Sequence, residues 1–247
     1  MPEALARFFR EAQQPQVVTR AIIVSHGQPG DPEPQQAAIE ALAAEVARHA
    51  PGVEVLGATL AMPEALARTC RSDCIVYPMF MAEGWFTGTE LPRRLTQAGA
   101  SGAHITRPFG TDPGLPDLII GKARQAAEAQ GWPLDQVTLL LSAHGSQRSQ
   151  ASFDITTALA ERISPHFARV VTGFVEQEPF IADAARGLER AISLPLFALR
   201  AEHVLDDLPE ALDQAGFTGP RLDPIGLAPE VPAMIARSIA REVEGLK

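Results

Sequence analysis

The sequence predicts an α/β protein of two similar doubly wound halves, each with a mainly parallel sheet, facing a central cleft. Three observations predict it. First, the chain repeats itself: Ile22-Ile23-Val24-Ser25-His26-Gly27 returns as Leu140-Leu141-Ser142-Ala143-His144-Gly145, and Pro78-Met79-Phe80 with Leu91-Pro92 returns as Pro195-Leu196-Phe197 with Leu208-Pro209. Pro108, Gly110, Pro113, Pro116 and Ile119 return as Pro224, Gly226, Pro229, Pro232 and Ile235. The offset stays near ~117 positions at every anchor, so an ancestral unit of about half the chain is present twice. Second, most strand candidates are short apolar runs without alternation, which suits parallel strands buried on both faces. Third, amphipathic helical patterns separate them, and strand–helix alternation twice over is the pattern of doubly wound sheets.

The elements follow in order. Strands are expected over 20–25, 53–59, 74–79 and 103–106, with second-copy equivalents over 137–142, 170–174, 193–197 and 221–224. Helices are expected over 34–50, 63–70, 90–98 and 113–130, then over 149–163, 179–190, 204–215 and 229–245. Proline sits near several of the helix starts, where its missing N–H costs nothing. Gly131-Trp132-Pro133 reads as the link between copies. This divides the chain into an added helix over 1–15, a first half over 16–131 and a second half over 132–247.

Composition narrows the function. The 247 residues suffice for two halves sharing a large core. A hydrophobic fraction of 46% is that of an ordinary soluble globular chain. No apolar run reaches the roughly 18 residues needed to span a bilayer, and the N-terminus lacks an apolar signal core. The only two cysteines, Cys70 and Cys74, make a disulfide scaffold improbable, and the expected location is the cytoplasm. They read more simply as small apolar residues near a strand start than as a thiol pair on one helix face. A net charge of −9 without a basic run argues against nucleic acid as partner. No membrane partner is expected, and monomer and homo-oligomer both stay open.

The copies differ at a few polar positions, and those differences separate chemistry from scaffold. His203 aligns with Phe86, and Glu176 aligns with Leu60. The second copy thus holds His144, Glu176 and His203 where the first holds His26, Leu60 and Phe86. A fold that needed these polar groups would keep them twice, so one working site is expected, assembled mainly from the second copy. All three residues fall at or just beyond carboxyl ends of parallel strands, where open α/β sheets carry their ligand crevice. Each alone also has an ordinary structural use, as a turn histidine or as a carboxylate at a helix start. Together, neutral imidazoles bind borderline divalent metals, and a carboxylate ligates or accepts a proton. Two imidazoles leave most coordination positions open, which suits a metal in transit more than a locked structural ion.

These stretches resemble a known family. His144-Gly145-Ser146, Phe174-Val175-Glu176 followed by Pro179, and Pro195-Leu196-Phe197 leading to Ala201-Glu202-His203 and Asp207-Leu208-Pro209 look like the class II chelatases, in the long form with two fused units. The resemblance covers nearly the whole chain. It implies insertion of cobalt or iron into sirohydrochlorin or a related tetrapyrrole, for cobalamin or siroheme synthesis. It implies metal contact by His144 and His203, joined by Glu176. It implies no organic cofactor: Co²⁺ or Fe²⁺ is a substrate. Gly145, Ser146, Arg148, Trp85, Phe86 and His26 are the expected contacts to the macrocycle.

The chain departs from the family's pattern at Gln147, where arginine usually follows His-Gly-Ser directly, and at Ala143, where glycine is usual. Sirohydrochlorin is a polycarboxylate, and an acidic protein opposes its approach at long range. Local compensation would come from Arg148, Arg200, Arg93 and Arg94. Ferrochelatase-type activity on a less carboxylated porphyrin is one alternative, and a non-catalytic metal or tetrapyrrole carrier on the same fold is another. A hydrolase is disfavoured because the chain has no Gly-x-Ser-x-Gly elbow and no phosphate-binding glycine loop with a following lysine.

Overall fold

The computed structural model describes residues 19–199 and 206–246. The helix expected over 1–15, and Arg200 and His203, lie outside them. Strands β1 (Thr19–Ser25), β2 (Val53–Thr59), β3 (Ile75–Pro78) and β4 (His104–Ile105) form one parallel sheet in the order β2-β1-β3-β4. Strands β5 (Thr138–Ala143), β6 (Arg169–Phe174) and β7 (Ala191–Pro195) form a second parallel sheet in the order β6-β5-β7. In each sheet the first strand of the unit is central, and the chain winds outward from it both ways.

The helices are α1 (Pro32–His49), α2 (Pro63–Thr69), α3 (Leu91–Gln97), α4 (Leu115–Ala129), α5 (Ala151–Ile163), α6 (Ile181–Ala185), α7 (Asp207–Gln214) and α8 (Val231–Gly245). Proline occupies the first turn of α1, α2, α3, α4 and α8, as the sequence led one to expect. In α1 the buried residues Gln36, Ile39, Ala43 and Val46 recur at helical spacing, with Glu33 in the first turn and Arg48 and His49 in the last.

Side-chain direction along the central strands sorts the core into layers. Ala21 and Ile23 of β1, and Leu139, Leu141 and Ala143 of β5, join one large apolar cluster with α1, α4, α5 and α8. Ile22 and Val24 face the opposite way, onto α2 and α3. Leu140 faces α6 and α7. The molecule is therefore five layers deep: helices, sheet, a shared middle layer of helices, sheet, helices. The middle layer fills the space between the sheets, so a cleft between the halves lies only at the strand ends.

The middle layer is built by exchange. Helix α4, from the first unit, packs on α5 and β7 of the second, and α8, from the second, packs on α1 and β3 of the first. One polar cluster crosses this seam. The buried Asp112 carboxylate accepts hydrogen bonds from Tyr77 Oη (2.9 Å), Ser238 Oγ and the Gly114 N–H (2.8 Å), with Arg241 at 3.7 Å. Burial, reinforced by the Asp112 charge, pushes the Tyr77 hydroxyl well above its usual range.

Paired glycines mark close approaches. A Cβ at Gly110 would stand 1.7 Å from the Met81 carbonyl oxygen, and one at Gly226 1.9 Å from that of Ala198. Their N–H groups donate to the carbonyls of Phe80 and Phe197, both at 3.0 Å. The repeat kept both glycines because no side chain fits.

Several expected elements come out shorter. The strand expected over 221–224 is a single bridge between Ser193 and Arg221, because Pro220 and Pro224 flank it without donors. The helix expected over 179–190 stops at Ala185, where Gly187 turns the chain with φ +69. Strand β4 keeps two residues before Arg107-Pro108. Both cysteines are free and buried, packing with the α2–α3 cluster. No helix among the described residues is long and apolar enough to cross a membrane.

Candidate metal site at the carboxyl edge

The His-Gly turn at the end of each central strand has one backbone design. Gly27 and Gly145 take φ +75 and +73, a conformation that favours glycine. Each turn brings the glycine carbonyl under the preceding imidazole: Gly27 O stands 2.6 Å from His26 Nδ1, and Gly145 O stands 2.9 Å from His144 Nδ1. A carbonyl only accepts, so Nδ1 carries the proton and Nε2 presents its lone pair outward. This tautomer is the one a metal requires of an Nε2 ligand.

Beyond that shared device the copies diverge. The His26 ring meets Phe86 edge-on at 4.4 Å between centroids. Phe86 stacks on Phe80 at 6.2 Å and meets Trp85 at 5.1 Å. The His144 ring instead has the Glu176 carboxylate 3.8 Å from Nδ1. That gap exceeds hydrogen-bond reach, so the contact gains weight only when the imidazole is protonated. Both side chains are about two-fifths exposed, at 41% and 44%, so both are open to solvent. Among the described residues no three His, Cys, Asp or Glu side chains gather tightly enough to hold an ion. The third expected ligand, His203, lies outside them.

The strand registers correct one pairing of the sequence. Ser25 pairs with Thr59 and Ala143 with Phe174, while the Ala61 and Glu176 N–H groups donate to the His26 and His144 carbonyls. Glu176 therefore corresponds to Ala61, one residue beyond Leu60. The aligned glycines misled: a Cβ at Gly57 would strike the Ile39 carbonyl in the middle layer, whereas one at Gly173 would meet Ile181 in the outer layer. They face opposite ways and are not equivalent. The inference survives the shift, since copy one offers no carboxylate at either position.

The two edges come together in space. The loop after β3 carries Gly84, Trp85 and Phe86, and a Cβ at Gly84 would lie 4.0 Å from Ala151 at the start of α5. The copy-one aromatics thus stand beside the copy-two His144 loop. Trp85 is 61% exposed, the largest exposure among the described large apolar side chains, so it serves no core. Phe86 opens a single π-helical turn, Phe86–Glu90, that runs into α3.

The expected arginines divide. Arg93 and Arg94 both bind Glu90, at 2.6 and 2.7 Å, and the two guanidiniums hold that carboxyl at about 2, below its ordinary 4.5. They are engaged in anchoring the turn that carries Phe86. The Arg148 guanidinium is exposed and pairs with no carboxylate among the described residues. A folded-state pKa below the unfolded value gives stability that is present above about 4.5 and lost as pH falls toward about 2. Replacing Glu90 by Gln is therefore expected to lower the melting temperature at pH 7, with the gap to the native protein closing as the pH falls from 4.5 toward 2. A gap independent of pH would show that packing, not the charge, matters there.

Sequence reasoning named Ser146 as a macrocycle contact but missed Ser152 and Gln177, which hold the His144 loop with it. Gly145 N–H donates to Ser152 Oγ (3.2 Å), Ser146 N–H to Gln177 Oε1 (2.7 Å) and Arg148 N–H to Ser146 Oγ (3.1 Å). Gln177 reaches across 31 positions, a contact without a local signature.

The CbiX family model matches the chain twice, over residues 20–126 and 138–242. A solved structure of CbiX, the terminal enzyme for biosynthesis of siroheme in denitrifying bacteria, is 59% identical with a TM-score of 0.85, covering 90% of this chain and 98% of that one. A multi-domain protein of Deinococcus radiodurans with structural similarity to chelatases is 27% identical, TM-score 0.64, over 90% of this chain and 54% of its own. SirB from Bacillus subtilis with Fe³⁺ shares the fold at 15% identity, TM-score 0.68, over 92% of this chain and 98% of its own. A probable sirohydrochlorin cobaltochelatase of Halobacterium salinarum is 25% identical over 171 residues, and the match spans 58% of either chain. With the match running through both sheets and falling on both copies of the repeat, the chain belongs to the CbiX family of class II chelatases, in the form that fuses two units.

Proposed function

We propose that the protein is a lyase-type chelatase that inserts Fe²⁺ or Co²⁺ into sirohydrochlorin. The observation that carries this reading is the His144 ring, exposed at the sheet edge, with Nδ1 tied to its own turn and the Glu176 carboxylate 3.8 Å away. The 59% likeness to CbiX of siroheme biosynthesis supports iron as the metal served. The second unit, 132–247, carries the working site, and the first, 16–131, a degenerate one.

The reaction exchanges one dication for two protons: the metal gains the ring nitrogens as two pyrrole N–H bonds break. His144, with His203, contacts the incoming metal through deprotonated nitrogen. Glu176 ligates or accepts a released proton. Bound only through these few side chains, the metal passes to the macrocycle as each new nitrogen bond forms, and the site's role is to position it. Trp85 and Phe86 form an aromatic wall, their rings set edge to face, with His26 edge-on against Phe86. Gly145 and Ser146 shape the opposite edge, and the exposed Arg148 receives a substrate carboxylate, offsetting locally the −9 net charge. The active protein needs no organic cofactor and no nucleic acid or membrane partner, and acts in the cytoplasm.

The test is incubation with sirohydrochlorin and Fe²⁺ or Co²⁺, following the visible spectrum, with protoporphyrin as comparison. Catalytic conversion of sirohydrochlorin alone is expected. Tight binding without turnover would make the protein a carrier, and faster metallation of protoporphyrin would make it a ferrochelatase-type enzyme.

A further inference from the structure

We infer that Gln177 is a positioning residue for His144, acting through the peptide unit that joins Gly145 to Ser146; the inference rests on His144 being the metal-contacting group. That peptide is held at both ends. Its N–H donates to Gln177 Oε1 at 2.7 Å, and its carbonyl accepts from His144 Nδ1 at 2.9 Å. The two bonds form one chain, from amide oxygen through peptide to imidazole. A hydrogen bond accepted from the N–H polarises the peptide and makes its carbonyl a better acceptor. The stronger the carbonyl's hold on Nδ1–H, the more firmly the ring keeps the tautomer with its lone pair on Nε2.

The chain of bonds has a weak link that Gln177 secures. Gly145 sits at φ +73 without a side chain, so nothing intrinsic stops this peptide from rotating and carrying its carbonyl away from the ring. Gln177 opposes rotation twice. Its Oε1 fixes the N–H, and its Cγ lies 2.8 Å from where a Gly145 Cβ would stand, closing the space over the turn. In copy one the space over Gly27 is filled by Ala61 and Thr59, and the register places Met62 opposite Gln177. The His26 turn thus has the same backbone and no side-chain amide at this register position. The difference parallels Glu176: the copy with the carboxylate also has the amide.

Gln177→Met, which keeps the bulk and removes the acceptor, tests this beside Gln177→Glu, which keeps an acceptor, and Ser152→Ala, which frees only the Gly145 N–H. Two readouts apply to the full chain: the ¹⁵N shifts of the His144 ring, which report the tautomer, and the KM for Co²⁺ against kcat. Gln177→Met is expected to move the ring nitrogens toward a tautomer mixture and to raise the Co²⁺ KM about ten- to a hundredfold, as losing a ligand's outer partner does. Gln177→Glu stays near the native protein. Native ring shifts and native KM in Gln177→Met overturn the inference. So does an equal ring shift in Ser152→Ala, because loop looseness would then set the ring. Should the native protein insert no metal, the proposed activity falls, while the ring shifts still decide whether Gln177 orients His144.

Discussion

Replacing His144 by Ala is expected to slow metal insertion at least a hundredfold or so, the low end of what a positioned proton-transfer or ligand group contributes, whereas His26→Ala slows it at most about tenfold. The two histidines share a strand end, a following glycine with positive φ and a carbonyl on Nδ1. The His-Gly turn by itself would make them equals. Their partners decide otherwise. His144 has a carboxylate within 3.8 Å and a turn clamped by Gln177 and Ser152. His26 has the edge contact with Phe86, and such ring pairs are worth about 0.5–1.5 kcal/mol, which sets the tenfold ceiling. His203→Ala should match His144→Ala. Initial rates of cobalt insertion for the three variants at one pH decide the matter. Equal loss in all three would mean that His26 completes the site across the edge, and a native rate for His144→Ala would end the assignment.

How much of this was legible in the chain depends on the range of the contact. The parallel strands were legible, because burial on both faces leaves continuous apolar runs such as Ile22-Ile23-Val24. So was the pairing of Gly110 with Gly226, each pressed against a carbonyl at the same point of its unit. Copy comparison found the asymmetric carboxylate at Glu176, although the glycines chosen to align it lie on opposite sheet faces and shifted its partner by one residue. The exchange of α4 and α8 was not legible. Either helix would bury the same apolar stripe against its own sheet or its neighbour's, so the pattern does not say which. Gln177 was invisible for a similar reason: an exposed-looking amide after a strand shows no periodicity, and its meaning lies in a peptide distant in sequence. The arginines beside the motifs were legible as cations, but Glu90 takes two of them.

The exchange of helices leads to the largest expected loss of stability, at Asp112. The carboxylate is 3% exposed and holds three donors, from β3, from its own turn and from α8. The repeat-equivalent of Asp112 is Ala228, and those of Tyr77 and Ser238 are Leu194 and Lys122, so the cluster that crosses the seam is not repeated at the equivalent position. Asp112→Ala would leave the buried Tyr77 and Ser238 hydroxyls without an acceptor and strip the half-buried Gly114 N–H of its own. Each stranded donor costs about 1–3 kcal/mol, partly recovered by relaxation, so a net loss of about 3–5 kcal/mol is expected. For a chain of this size that corresponds to a melting temperature lower by about 10 °C or more. Tyr77→Phe removes one donor and leaves the carboxylate its other partners, so it should cost about 1 kcal/mol. The pair of variants separates two accounts of α8. If the helix is held mainly by Val231, Met234, Ile235 and Ile239 in the shared core, Asp112→Ala will melt close to the native temperature. If the polar cluster fixes which sheet α8 covers, Asp112→Ala will melt early, and amide exchange in α8 will rise before exchange in α4 does.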